Sequence, residues 1–199
     1  MLALPPAPAP APRRQLFVGT AVASSAAAAV FASMLAVWWR FREAAGDAEN
    51  AVGITRNAWK PKNIVIPQVP SNIMLFTLVL GCVMLQFAVW AAKRGERANV
   101  GIALGITALL TLAVINAQAV IYGRMGMGVA DGAYQTLFYA ITGAFIVLLI
   151  IAFCFNAVTA FRVLGGRLSD RMVVSSLALF WYVITVVFVG LWFVIYVTK

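Results

Sequence analysis

The 199-residue chain contains no histidine. This excludes imidazole-ligated haem or copper within it, and any catalytic set built on an imidazole base. Charge is scarce too: Asp, Glu, Lys and Arg make up 11% of the residues, against roughly 25% in an ordinary soluble domain. There are two cysteines, Cys82 and Cys154, each inside an apolar run with no Cys or His at ligand spacing. They read as small apolar packing residues, not as a disulfide or a metal site. All eight prolines precede Ser71, so the apolar runs beyond it carry no helix breaker. Unbroken runs argue against a transporter of the discontinuous-helix kind. No inverted or tandem repeat, Ser/His/Asp set, glycine-rich phosphate loop or carboxylate pair is visible.

What the chain does have is hydrocarbon. Hydrophobic residues are 63% of the total, and mean hydropathy is +0.95. A soluble domain of this size cannot hide that much apolar surface, so the class is integral membrane protein. Leu16–Trp39, Ile73–Ala92, Val100–Gly123, Gly132–Phe161 and Met172–Thr198 contain no Asp, Glu, Lys, Arg or His. Each exceeds the ~18 residues that mark a spanning segment across a hydrocarbon core about 30 Å thick. Lipid offers the backbone no hydrogen bonds, so these runs must be helices. The expectation is an all-α, multi-pass transmembrane bundle with spans over about 16–39, 71–92, 99–123, 133–161 and 172–198. The first run ends in "VWWRFR", not in a small-residue cleavage site, and reads as a retained helix. Residues 1–14 read as a disordered Pro/Ala-rich cytoplasmic tail, 15–199 as a single membrane domain, and 40–70 as an outer surface loop. Within that loop, Pro61, Pro67 and Pro70 punctuate an extended segment. Trp38, Trp39 and Trp59 suit the interfacial aromatic belt.

The net charge of +9 would suggest nucleic acid in a soluble protein; here it orients helices, and no nucleic-acid partner is expected. Among the short connections, one side holds Lys93, Arg94, Arg97, Arg162, Arg167 and Arg171, the other only Arg124. Six against one places the N-terminus in the cytoplasm and the C-terminus outside. Small residues mark contact faces: Gly101 and Gly105 on the third span, and Gly19, Ala23 and Ala27 on the first. We assign these to packing within the chain. The polar residues inside the spans include Asn116, Gln118, Thr142, Asn156 and Thr185. They serve chiefly as interhelical hydrogen-bonding groups, and Asn116 and Gln118 could instead face a partner subunit or a lipid headgroup. A proton relay needs carboxylates, cations or histidines at membrane depth, and the five runs hold none.

Several segments carry a more specific pattern. "DGAYQTLFYAITG" (Asp131 to Gly143) resembles the D-G-x-Y-x-x-x-F-[FY]-x-x-T-G that enters the sixth helix of cytochrome c oxidase subunit III. "LFWYVITVVFVGLWFVIYV" (Leu179 to Val197) resembles that family's last helix, with Trp181 and the closing Ile195–Tyr196 in register. "INAQAVIY" resembles L-x-x-Q-x-x-E-Y, with Gln118 and Tyr122 matching. "PSNIMLF" and "AVWAAKRG" resemble the start and the basic exit of the helix after the proline-rich loop. The matches run in order along nearly the whole chain. They point to the short bacterial form, which keeps five of the family's seven helices.

The departures share one character. Phe145 and Leu148 stand where the family pattern T-G-F-H-G-x-H-V has histidines. Tyr182 and Thr185 replace the His and Asp of W-H-F-V-D, Ile121 the Glu of Q-x-x-E-Y, and Ala26 the buried Glu of S-S-E. Any role of those groups in proton uptake is lost with them.

The resemblance implies a non-catalytic component of a respiratory haem-copper terminal oxidase in a bacterial plasma (inner) membrane. Such a complex reduces O2 and pumps protons in aerobic respiration. This chain would bind no cofactor; haem and copper would sit in partner subunits. Its partners would be catalytic subunit I, other respiratory subunits and phospholipid. No residue is expected to be catalytic or to bind a metal. The packing, lipid or partner contacts fall on Gln118, Tyr122, Asp131, Gly132, Tyr134, Thr142, Gly143, Trp181, Tyr182 and Tyr196. The alternatives are an accessory subunit of a nitric-oxide reductase or quinol oxidase, or a small membrane transporter.

Overall fold

The computed structural model describes residues 14–52, 59–61, 66–166 and 171–198, without the side chains of 48–52. The tail over 1–13, the outer-loop residues 53–58 and 62–65, and Arg167 lie outside the described residues. Five long helices follow one another: α1 (Gln15–Val52), α2 (Gln68–Arg94), α3 (Arg97–Met125), α4 (Ala133–Leu164) and α5 (Arg171–Leu191). α5 runs on into a wider π turn over Trp192–Val197, closed by the Thr198 N–H donating to Phe193 O at 3.0 Å. No strand occurs among the described residues. All five helices are long and apolar enough to cross a membrane, as the sequence implies.

α5 is the hub. It packs against α1, α2 and α4, while α2 lies along α3 and α3 along α4. Its inner face is built from Leu177, Phe180, Trp181, Ile184, Phe188 and Leu191, all buried. α1 is the least enclosed helix: 11% of its most apolar window is buried inside the chain, against 50% for α5. A helix that apolar and that open presents its outer face to lipid or to another protein.

α1 departs from expectation at its far end. The outer loop was placed from residue 40, yet the helix runs on through Val52. Thirty-eight residues rise about 57 Å at 1.5 Å each, well beyond the hydrocarbon. The added turns, "RFREAAGDAENAV", contain good helix formers and no proline. They are also tied within the helix and to the C-terminal turn. Trp39 Nε1 donates to Glu43 Oε1 at 2.7 Å, Arg40 lies 3.7 Å from Glu43, and Arg42 Nη1 donates to Thr198 Oγ1 at 2.9 Å.

α2 begins at Gln68, so Pro70 falls in its first turn, where no intrahelical N–H bond is lost. Its other end is closed by Gly95 in the left-handed region, φ 81°, which a glycine adopts without steric cost.

The small-residue faces differ from expectation. A side chain at Gly101 would meet Leu164 of α4 at 3.4 Å, but nothing lies within 4 Å of Gly105 or Gly19, and Ala23 is exposed. Gly19, Ala23 and Gly105 thus face outward, while Ala27 packs against the core. Cys154 is likewise exposed, while Cys82 is half-buried.

Candidate functional site

Two polar-aromatic constellations stand out, and α5 with its terminal turn takes part in both. The first lies where α3 ends and α4 begins. α3 places Gln118 and Tyr122 one turn apart; α4 places Tyr134, Phe138 and Thr142 along its facing side. The π turn carries Tyr196 between them. Tyr196 O–H donates to Gln118 Oε1 at 3.3 Å, and the Tyr122 and Thr142 hydroxyls lie 2.7 Å apart. Phe138 is the hinge of the ring packing, 6.3 Å from Tyr122, 6.5 Å from Tyr134 and 6.3 Å from Tyr196.

Two tryptophans complete this cluster. Trp38 lies 5.1 Å from Tyr134 and 5.2 Å from Trp59, and Trp59 is 5.6 Å from Tyr134. Trp38 and Trp59 are both buried within the chain, and Trp38 is among the largest fully enclosed side chains. Trp39, its neighbour, is exposed. Successive helical residues point about 100° apart, so a Trp pair cannot face one way.

The second constellation joins α2 to α5. Trp181 Nε1 donates to Leu78 O at 3.1 Å, its ring lying over Gly81. Tyr182 O–H donates to Gln86 Oε1 at 2.6 Å, Trp192 Nε1 to Asn72 Oδ1 at 2.9 Å, and Cys82 Sγ lies 3.2 Å from Thr185 Oγ1. These bonds knit two spans without placing a charge between them.

Between the two, the interior is apolar. Phe145 lies 6.3 Å from Phe31 of α1 and 5.1 Å from Phe188 of α5. Leu148 and Ile121 are also buried, so three of the family's polar positions are filled by core hydrocarbon. Ala26 faces outward. Across the α3–α4 interface, Asn156 Nδ2 donates to Leu104 O at 3.0 Å.

Of the ten residues the resemblance selects, five meet in the first constellation: Gln118, Tyr122, Tyr134, Thr142 and Tyr196. Trp181 and Tyr182 sit in the second. Asp131 and Gly132 form the turn before α4, where Asp131 Oδ2 accepts from Gly128 N at 2.6 Å. Gly143 has open space where a side chain would stand. Sequence reasoning missed Gly81. Its signal was a lone glycine amid large residues, "LVLGCVML", a pattern that marks close approach of another element.

Chemically the arrangement offers hydroxyls, amides and indole N–H groups. Among the described residues no cluster of His, Cys, Asp or Glu could hold a metal ion, and the donor set does not fit haem or copper. The constellations hold helices to one another.

The family model described as cytochrome c oxidase subunit III matches residues 19–199. No curated protein matches the chain.

Proposed function

The chain belongs to the cytochrome c oxidase subunit III family, and from that membership we propose that it is a non-catalytic subunit of a respiratory haem-copper terminal oxidase in a bacterial plasma membrane. It stabilises catalytic subunit I during turnover and holds phospholipid at the subunit boundary. O2 reduction and proton pumping run in partner subunits that carry the haem and copper.

The observation that carries this reading is the family match over nearly the whole chain, 19–199, together with five spans free of Asp, Glu, Lys, Arg and His over 16–39, 71–92, 99–123, 133–161 and 172–198. A helix bundle with no carboxylate, cation or histidine at those depths lacks the groups that usually serve as proton stations. Its outer faces supply contact instead. On α3, Gly105 and Asn116 both point outward. An amide facing hydrocarbon is costly, and a partner helix with an acceptor would relieve it. The basic short connections, Lys93, Arg94, Arg97, Arg162 and Arg171, favour the cytoplasmic side, which sets the N-terminus inside and the C-terminus outside.

The test is purification of the tagged chain in mild detergent. The expected result is co-elution of haem absorbance and O2-consuming activity. Removing the chain should leave the haem spectrum in place while activity decays faster during turnover. A purified complex without any haem-bearing partner overturns the proposal.

A further inference from the structure

The open face of α3 carries a regular seam. Gly105, Leu109, Leu112, Asn116, Ala119 and Gly123 are all exposed, and the steps between them alternate four residues and three. Gly105, Leu112 and Ala119 thus take one of the two inward positions of a heptad, and Leu109, Asn116 and Gly123 take the other. The opposite side of α3, with Leu104, Thr111 and Gln118, is buried against the chain's own helices.

Any open helix face shows this spacing, so composition decides what it fits. The open face of α4 carries Val147, Ile151, Val158 and Phe161, bulky apolar groups that suit acyl chains. The α3 seam holds two glycines, an alanine, two leucines and an amide, with no β-branched residue. Small residues let a second backbone come close, and an amide gives it something to bond.

Asn116 is the residue that calls for a partner. It lies seven residues before Gly123, about 10 Å at 1.5 Å per residue, within a helix apolar enough to span. Its side chain has no hydrogen-bond partner among the described residues. The amide carries both a donor and an acceptor, and hydrocarbon satisfies neither.

We propose that α3 pairs with α3 of a second copy of this chain. Copies insert with one orientation, because the connections rich in Lys and Arg hold one side inside. A two-fold axis along the membrane normal then sets the two helices parallel, and each seam residue meets its own counterpart. Asn116 Nδ2 donates to Oδ1 of the partner's Asn116. An Asn at this heptad position fixes register and oligomer state in parallel coils, and it is its own complement, so no other sequence is required. Gly105, Ala119 and Gly123 admit the close approach, and Leu109 and Leu112 fill the layers between. Arg124 pulls the other way, since the axis brings two guanidinium groups near each other. It follows the end of the seam, at the water interface, where its long side chain can turn away and salt screens the charge. The pairing rests on the spanning topology, not on the oxidase assignment, and it leaves the open face of α1 to other subunits.

The test uses the full chain with its co-purifying subunits, expressed in membranes as two copies with different tags. Cys154→Ala removes the exposed native thiol, and single cysteines are then placed on the seam as Leu112→Cys or Ala119→Cys and off it as Ile151→Cys on α4. Copper phenanthroline supplies the oxidant. Both seam cysteines should give a disulfide-linked product carrying both tags, and Ile151→Cys should not. Without cross-linking, Asn116→Leu should lower recovery of the second tag about tenfold, while Asn116→Gln, which keeps donor and acceptor, should retain most of it. The chain's melting midpoint, unchanged in Asn116→Leu, separates lost pairing from lost folding. Seam cysteines that link to a protein of another mass give this face to a different subunit and overturn the proposal. So does the absence of a doubly tagged product, or equal recovery of the second tag from Asn116→Leu. Haem absorbance is read on the same samples. Haem without the doubly tagged product defeats the pairing alone, and the doubly tagged product without haem defeats the oxidase assignment alone.

Discussion

Trp181 occupies the volume that a side chain at Gly81 would need. A Cβ on Gly81 would stand 2.6 Å from both Cζ2 and Nε1 of the indole, and that same Nε1 donates to Leu78 O one turn earlier on α2. The closest approach of α2 to α5 is thus fixed by one missing side chain and one large one. Gly81→Ala should force the ring away and weaken its bond to Leu78. Overpacking of this kind costs about 1–3 kcal/mol. Thermal unfolding in detergent, followed by circular dichroism, should show a lower midpoint. In a Trp181→Leu background the same change should cost much less; an equal cost in both backgrounds would show that the ring is not what Gly81 accommodates.

The pairing of Gln118 with Tyr196 predicts an asymmetry. Gln118 is buried, its Oε1 accepts from Tyr196, and its amide group also interacts with the Tyr122 side chain. Tyr196→Phe removes the donor to the amide oxygen. Replacing both residues, as Gln118→Leu with Tyr196→Phe, removes the polar group as well. The single change should therefore destabilise more than the double, although interhelical hydrogen bonds in membranes average only about 0.6 kcal/mol. A double variant less stable than Tyr196→Phe would contradict this.

Hydrophobic carbodiimides react with carboxyl groups at membrane depth. No Asp or Glu lies within 16–39, 71–92, 99–123, 133–161 or 172–198, so peptides from these segments should remain unlabelled. Ala26 faces outward on α1, and Ala26→Glu should create a labelled site there. Peptide mapping by mass spectrometry decides, and label within any native span would show that the helices are misplaced.

Gly105 has nothing within 4 Å of the space its side chain would fill, so Gly105→Leu should leave the isolated chain at least as stable as before. If α3 docks on another subunit, the same bulk blocks close approach there, and Asn116→Leu removes the outward amide. Both variants should lower the yield of co-purified subunits several-fold while the chain's own melting midpoint holds. Undiminished co-purification would place the docking face elsewhere.

The spans were legible in the sequence because lipid imposes one rule on every residue in them. Length and hydropathy alone therefore find five helices, and the run Val100–Gly123 becomes α3 with only two or three residues added at each end. The family resemblance also pointed to Gln118, Tyr122, Tyr134, Thr142 and Tyr196 without showing that they touch. Less was legible at the ends. α1 continues past Trp39, where Glu43 bonds locally to Trp39 and Arg42 reaches Thr198 beyond α5, and charge, which ends a span, does not end a helix. Orientation around the axis was harder still. Hydrophobic residues surround these helices on all sides, so periodicity does not separate Trp38, buried, from Trp39, exposed. Gly19 and Gly81 look alike as letters; only the partner surface distinguishes them.

The ring cluster of Phe31, Phe145 and Phe188 has a consequence for the membrane as a capacitor. It joins α1, α4 and α5 with hydrocarbon where the related pattern would place imidazole. Hydrocarbon rings offer an ion no ligand, so an ion among them would face the dielectric barrier of oil. Bulk of this kind can sit beside a charge-separating machine without leaking away the voltage the machine builds.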